Sequence, residues 1–169
     1  MKPLGDTITI TTRLLLIACL VLPFAACKKE EAPQKVEQAP LTKPAGEEID
    51  AWQAYVTDVV KRNMAGLNTS PYIYFLTGES SADFQGEYDR MLEKVETDLT
   101  RGIVEGNMLA FASPASAKMA DIASTAFSSV DPGSMNGVRV LFIGDAADSA
   151  RVEAAVKPTG ATYTFVEAK

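Results

Sequence analysis

The most constraining feature of this sequence is a strand–helix–strand unit at its C-terminal end, residues 138–169. Residues 138–143 form an apolar run that is interrupted only by Arg139, as expected of a buried strand. Residues 146–157 have helical periodicity, and residues 162–166 alternate polar with apolar side chains as an edge strand does. Two strands joined through a helix pair in parallel, with a right-handed crossover. The chain therefore contains at least part of a parallel sheet.

The same alternation of strand and helix patterns extends upstream. Uncharged runs at residues 71–76 and 107–112 are each followed by an amphipathic helix pattern, and another such pattern covers residues 47–67. We therefore predict an α/β fold, a small open and mostly parallel sheet of about four strands with helices on both faces, preceded by an N-terminal helix. By analogy with doubly wound sheets we predict the strand order 2-1-3-4. Residues 138–143 are the predicted central strand.

Composition excludes several classes of function. The chain has a net charge of −6 and no His, which removes the usual acid/base group of neutral pH and the commonest metal ligand. Residues 47–169 carry 18 acidic and 10 basic side chains, the opposite of the balance that a nucleic-acid-binding protein needs. The only cysteines, Cys19 and Cys27, precede this region, so we expect no disulfide and no thiolate metal site within it.

The N-terminus has the features of an export signal. Residues 14–26 form a mostly apolar run, broken by Pro23 and shorter than the ~20 residues that a membrane span needs. Small residues, Ala25 and Ala26, directly precede Cys27. This arrangement resembles the lipobox of bacterial lipoproteins, over residues 1–27 only. The resemblance implies cleavage before Cys27 and attachment of a diacylglycerol to its thiol.

The N-terminus departs from the usual lipobox at one position, and two other interpretations of it are open. Phe24 stands where lipoproteins usually have Leu. The residues before Cys19 match the usual wording more closely, but cleavage there would leave the apolar residues 20–26 on the mature protein. The other alternative is a plain signal peptide, or an uncleaved anchor with Cys27 as a bystander. Lys28, where Asp often directs inner-membrane retention in this family, implies an outer-membrane lipoprotein facing the periplasm.

We therefore divide the chain into three parts. Residues 1–26 are a predicted lipoprotein signal peptide, and residues 27–46 are a predicted acylated Cys and flexible tether. The tether contains three prolines and mixed charges, with almost no large apolar side chains, so it cannot build a core. Residues 47–169 are a predicted single α/β domain.

Ligands of open α/β sheets bind outside the carboxyl ends of the strands. The polar side chains that follow the predicted strands are therefore the candidate ligand residues, Thr77, Glu79, Ser80, Ser113, Asp145 and Asp148. Each of them has a simpler interpretation as a helix cap or a solvated loop residue, because Ser and Asp are the default residues at helix starts. The sequence predicts no cofactor, and it leaves open whether a metal binds.

The candidate residues allow three readings. Phosphate binding is disfavoured, because the chain lacks the glycine-rich phosphate motifs and places Asp145 where a phosphate would sit. A periplasmic enzyme using carboxylates such as Glu79 and Asp145, with or without a metal, is one hypothesis. The other is a non-catalytic binding or protein-interaction domain with a protein partner in the envelope, similar to inhibitor or immunity proteins. We favour the second hypothesis, with the membrane bound through the lipid on Cys27.

Overall fold

The computed structural model of the protein describes residues 39–67 and 69–169. The predicted signal peptide, Cys27 and the first part of the tether lie outside these residues. The helices and strands, in chain order, are α1 (Ile49–Arg62), β1 (Tyr72–Phe75), α2 (Phe84–Arg101), β2 (Met108–Ala112), α3 (Ser116–Ser128), β3 (Arg139–Gly144), α4 (Ala146–Val156) and β4 (Thr162–Glu167). Within the described ranges, no helix is long and apolar enough to cross a membrane.

The four strands form one sheet in which every neighbouring pair is parallel. The α/β fold with an open parallel sheet is thus confirmed. The predicted strand order 2-1-3-4 is wrong, since the strands lie in the order β1-β2-β3-β4. Each crossover adds the next strand on the same side of the previous one, so the order never reverses. As predicted, β3 is an interior strand and β4 an edge strand.

The strand order determines which face each helix covers. Parallel crossovers of one handedness that always advance in one direction place their helices on the same face. Accordingly, one core cluster joins α2, α3 and α4 to the sheet through residues such as Val95, Phe127 and Val152. A second cluster joins α1 to the opposite face, where Met108, Ala110, Ala112, Leu141 and Ile143 are buried. The predicted helices on both faces are confirmed as three on one face and one on the other.

Helix α1 covers the second face of the sheet. In a doubly wound sheet, a reversal of the strand order brings helices to that face. One stripe of the helix, Trp52, Tyr55, Val56, Val59 and Val60, is buried against the sheet. Trp52 is 1% exposed, and its indole Nε1 donates a hydrogen bond of 2.7 Å to the Gly46 carbonyl. Trp52 is therefore a core anchor.

Residues 39–46, which we assigned to the tether, lie against the domain. The Leu41 N–H donates to the Asp58 carboxylate at 3.1 Å, and the Lys43 N–H donates to the Lys169 carbonyl at 2.5 Å. The compact unit accordingly begins at Ala39 instead of Glu47. Composition alone suggested a tether here because these contacts use backbone groups and charges, which leave no apolar pattern in the sequence.

Candidate functional site

The carboxyl ends of the four parallel strands lie at one edge of the sheet, which we call the carboxyl edge. Because β1, β2 and β3 end at Phe75, Ala112 and Gly144, the residues just after them share this edge. All six candidate ligand residues therefore belong to it. Glu79 is exposed to solvent, while the other five candidates make specific hydrogen bonds.

The loop after β1 is held by Glu87, in the first turn of α2. The Thr77 hydroxyl donates to one carboxylate oxygen of Glu87, and the Ser81 hydroxyl donates to the other at 2.9 Å. Both oxygens of this carboxylate are therefore engaged within the loop. A carboxylate near a helix N-terminus is also stabilised by the helix dipole, so the arrangement is that of a structural brace.

Ser80 binds Glu47, which lies directly before α1 on the other side of the sheet. Its hydroxyl and its backbone N–H both donate to Glu47 Oε2, at 2.5 and 3.1 Å. Both bonds lower the pKa of the Glu47 carboxyl below its ordinary value, and the bond from the hydroxyl has the larger effect. A carboxylate with a lowered pKa is a weaker base, so Glu47 is poorly suited to activate Ser80 as a nucleophile.

Ser113, immediately after β2, joins two neighbouring loops. Its hydroxyl donates to the Thr77 carbonyl at 3.3 Å and accepts a hydrogen bond of 2.8 Å from the Ala115 N–H. Helix α3 begins at Ser116 with Ala115 at its N-cap position, so Ser113 is not the cap of this helix. Ser113 is 1% exposed, which places its hydroxyl out of reach of a ligand.

The turn after β3 is organised by Ser116. The Ser116 hydroxyl donates to Asp148 Oδ2 at 2.7 Å and accepts a hydrogen bond of 2.8 Å from the Asp145 N–H. Ser116 is 5% exposed, and a Cβ atom at Gly144 would lie only 2.5 Å from its oxygen. The first turns of α3 and α4 are thereby connected through one buried hydroxyl group.

Asp148 has a second partner, Arg151, one turn later on α4. The guanidinium donates to Asp148 Oδ1 at 2.9 Å and to the Ala117 carbonyl at 2.6 Å, and it forms an ion pair with Asp121 of α3. The hydroxyl of Ser116 and the guanidinium of Arg151 together engage both oxygens of Asp148. The α3–α4 contact is therefore reinforced by a charged network at its edge.

Asp145 stands at the N-cap position of α4 but does not cap it. Its side chain makes no cap hydrogen bond, so of its two simpler interpretations, helix cap and solvated loop residue, the helix cap is wrong. Its carboxylate instead forms an ion pair of 3.2 Å with Lys43, in which the two side chains are 57% and 35% exposed. The physical reason is that Lys43 is brought to this edge by the segment 39–46, and it competes for the carboxylate.

Sequence reasoning missed the partners of the candidate residues. Glu47, Glu87, Ser116, Arg151 and Lys43 were not among the candidates, although each binds one of them. The Asp148–Arg151 spacing of three on a helix was a readable signal. The other pairs join residues 10 to 102 positions apart, and only the folded chain brings them together.

The acidic side chains of the carboxyl edge do not gather around one point. Among residues 39–67 and 69–169, no three acidic or Cys side chains converge as metal ligands would. A parallel sheet binds ligands in the crevice where its strand order reverses, and an order of β1-β2-β3-β4 has no such point. The hydroxyls and carboxylates here mainly satisfy one another. The arrangement fixes the loops and leaves no preorganised group aimed at a substrate.

A groove of about 790 Å³ lies at the end of the sheet opposite the carboxyl edge. It runs between the C-terminal ends of α2 and α3 and includes Leu99, Ile103, Val130 and Met135. None of the candidate ligand residues lines it.

Comparison with known proteins adds no relative. No protein-family model, no curated protein and no solved structure matches this chain.

Proposed function

We propose that this protein is a lipid-anchored lipoprotein of the bacterial cell envelope, with a non-catalytic domain that binds a protein partner. The mature chain begins at Cys27, is held in the outer membrane by the lipid on that residue, and faces the periplasm. The observation that carries the anchoring is the coincidence of an apolar core of 13 residues with small residues directly before a cysteine. The anchor and the domain are separate parts of the proposal, with separate tests.

The non-catalytic role is supported by the way in which the polar groups of the carboxyl edge are used. Ser113 and Ser116 are buried, and the carboxylates of Glu87 and Asp148 each have both oxygens in hydrogen bonds or ion pairs. A nucleophile needs an accessible oxygen beside a base that is free to accept its proton. The alternative of a periplasmic enzyme using Glu79 and Asp145 is not favoured, because these two carboxylates have no common partner.

The anchoring is tested with two cysteine variants of the full chain. We expect Cys27→Ser to leave the membrane fraction and to lose incorporation of labelled palmitate, because the acylated thiol is gone. The matched control is Cys19→Ser, which removes the other cysteine and should remain acylated and membrane-bound. Loss of acylation in Cys19→Ser but not in Cys27→Ser would contradict the assignment.

The binding role is tested by cross-linking in intact cells. We expect the wild-type protein to give one stoichiometric cross-linked complex with a second envelope protein. The unacylated Cys27→Ser protein should form the same complex when it is mixed with envelope extract, because the domain and not the lipid makes the contact. A hydrolytic activity that is lost on substitution of Asp145 or Glu79 by Ala would instead favour the enzyme.

A further inference from the structure

Strand β1 is an unprotected edge of the sheet. Among the described residues it pairs only with β2, so the backbone N–H and C=O groups on its other side have no strand partner. Its sequence, Tyr72–Phe75, contains no charged residue. Proteins normally protect such an edge with charges, prolines, bulges or a covering segment, because it is a template for pairing with another chain. Next to β1, the one residue of a protective type is Pro71, just before the strand.

The other edge of the sheet, β4, is protected in the usual way. Its four middle residues are half-buried, and it ends at Glu167, which forms an ion pair of 2.6 Å with Lys169. Thr162 and Glu167 are exposed at its two ends. The two edge strands therefore differ in one respect: β4 ends in a charged residue, whereas β1 contains none.

Apolar side chains flank the β1 edge on both faces of the sheet. Tyr72 is 42% exposed on the face of α2, and Ile73 is 43% exposed on the face of α1. Beside Ile73, a groove of about 260 Å³ separates β1 from α1, and its walls include Gln53, Val56 and Phe75. No charged residue lines this groove. Burial of Tyr72 and Ile73 would remove exposed apolar surface that this domain leaves unused.

On the face of the sheet opposite α1, helix α2 runs alongside β1 and is connected to it by a polar network. The Tyr74 hydroxyl donates to Asp98 Oδ2 at 3.0 Å, and Lys94 both donates to the same oxygen at 2.8 Å and lies 5.4 Å from the centre of the Tyr74 ring. The outward face of α2 carries Arg90, Glu93, Lys94, Thr97, Asp98 and Arg101. With Asp83, whose carboxylate lies 2.9 Å from Arg90, this strip has three cations and three anions and is neutral, on a chain of net charge −6.

We propose that two copies of this chain associate through their β1 edges, as an antiparallel pair related by a two-fold axis, to form a continuous eight-stranded sheet. A two-fold contact uses the same patch on both copies and closes after two. The protected β4 edge then prevents further growth. The neutral balance of the α2 strip lowers the repulsion that two acidic molecules would otherwise experience at contact.

The geometry of the helices suits this pairing. Helix α2 connects β1 to β2 and lies over them, so two β1 strands at a spacing of ~4.8 Å place the two α2 helices about 10 Å apart, an ordinary helix-packing distance. With 18 residues, α2 is ~27 Å long. A contact strip of roughly 27 by 20 Å on each copy buries about 1,000 Å² in total, at the lower end of specific interfaces. The dimer is therefore expected to be weak, with a micromolar dissociation constant.

The test is sedimentation of the full chain in a density-matched mild detergent at roughly 100 µM, above the micromolar dissociation constant expected for such an interface. We expect the wild type to be dimeric and Ile73→Lys to weaken association at least ~10-fold, because a buried lysine at the edge repels its own copy. The matched control is Thr162→Lys on the β4 edge, which should dimerise as the wild type does. A monomeric wild type, or equal effects of the two substitutions, would overturn the proposal.

Hydrogen exchange of the wild type provides a second readout that does not depend on the folding of a variant. Protection of the β1 amides should rise with protein concentration, while that of the β4 amides should not change. If protection of β1 appears only after addition of an uncharged extended peptide, the edge serves another chain, and the second copy is the wrong occupant.

Discussion

Ser116 connects three parts of the carboxyl edge through one hydroxyl group. It donates to Asp148 and accepts from the Asp145 N–H, while Gly144 leaves just enough room for its oxygen. A buried hydroxyl with two partners contributes more than an exposed ion pair, because its loss leaves both partners unsatisfied. Asp145 and Lys43 show the opposite case, with partly exposed charges that water screens well.

These two sites give a matched pair of predictions at the scale of single residues. We expect Ser116→Ala to lower the free energy of unfolding by about 1–3 kcal/mol, because the buried hydroxyl is lost and two partly buried groups lose their hydrogen bond. Asp145→Ala should lower it by less than ~1 kcal/mol, because only a solvent-exposed ion pair is lost. Urea denaturation of both variants measures the difference. A larger cost for Asp145→Ala than for Ser116→Ala would show that Asp145 has a structural role that its contacts do not explain.

The candidate residues were predictable as a group but not as contacts. Their position after the strands follows from the alternation of apolar runs and polar turns, and the parallel sheet brings all six to one edge. Which hydroxyl meets which carboxylate was not predictable, since Ser116 and Asp148 lie 32 positions apart. The Lys43–Asp145 pair spans 102 positions and depends on a segment that composition presents as a tether.

At the scale of elements, the contact between β1 and α2 depends on a polar network at the side of the core. The hydrogen bond from Lys94 lowers the pKa of the Asp98 carboxyl below its ordinary value, and the hydrogen bond from Tyr74 lowers it by a smaller amount. Burial has the largest effect on Tyr74 and raises its pKa well above the ordinary value, and the hydrogen bond to Asp98 raises this pKa further. The folded state therefore favours the protonated phenol and the ionised carboxylate, and both preferences make stability depend on pH.

The signs of these shifts give a prediction for the stability of the fold. The contribution of Tyr74 is complete below pH ~10, the pKa of an unfolded tyrosine, and is lost as the pH rises further. The contribution of Asp98 is complete above pH ~4 and is lost as the pH falls below that value. Tyr74→Phe should cost about 1 kcal/mol at neutral pH and should reduce the loss of stability above pH ~10. Urea denaturation across this pH range measures both effects.

The control for this prediction is Tyr72→Phe on the same strand. Tyr72 is 42% exposed, so we expect its substitution to leave the free energy of unfolding and its alkaline decline close to those of the wild type. The same alkaline decline in Tyr74→Phe and in the wild type would contradict the assigned role of the Tyr74 phenol.

The elements themselves were predictable, whereas their order was not. Helices and strands follow from the two periodicities of the apolar residues, and β3 was identified as interior because its sequence is almost free of charge. The order 2-1-3-4 would place β1 inside the sheet, but β1 and β2 are both uncharged apolar runs, so their sequences do not show which of them is the edge. The deciding contact is that of α1 with Met108 and Leu141, which covers the second face without a reversal of strand order.

At the scale of the whole molecule, the docked segment 39–46 brings the domain close to its proposed anchor. Eleven residues, 28–38, separate Cys27 from the compact unit. Even a fully extended chain of this length reaches at most about 40 Å. In the proposed lipoprotein, the maximum reach of the domain from the lipid is therefore shorter than a tether of 19 residues would give.

This segment gives a prediction for the domain boundary. The fragments 39–169 and 47–169 should both unfold cooperatively, because the two core clusters lie entirely within residues 52–168. The shorter fragment should be less stable by roughly 1–3 kcal/mol, because it lacks the Gly46 carbonyl that accepts from Trp52 and the backbone bonds of Leu41 and Lys43. Urea denaturation of both fragments measures this. Equal midpoints would mean that residues 39–46 do not stabilise the domain.

The central claim is that the mature protein begins at an acylated Cys27, and the most direct test is the intact mass of the protein extracted from its native membranes. Our account predicts the mass of residues 27–169 plus a diacylglycerol, with the lipid on the N-terminal cysteine after proteolysis. An unmodified chain that begins elsewhere, or a lipid on Cys19, would contradict it.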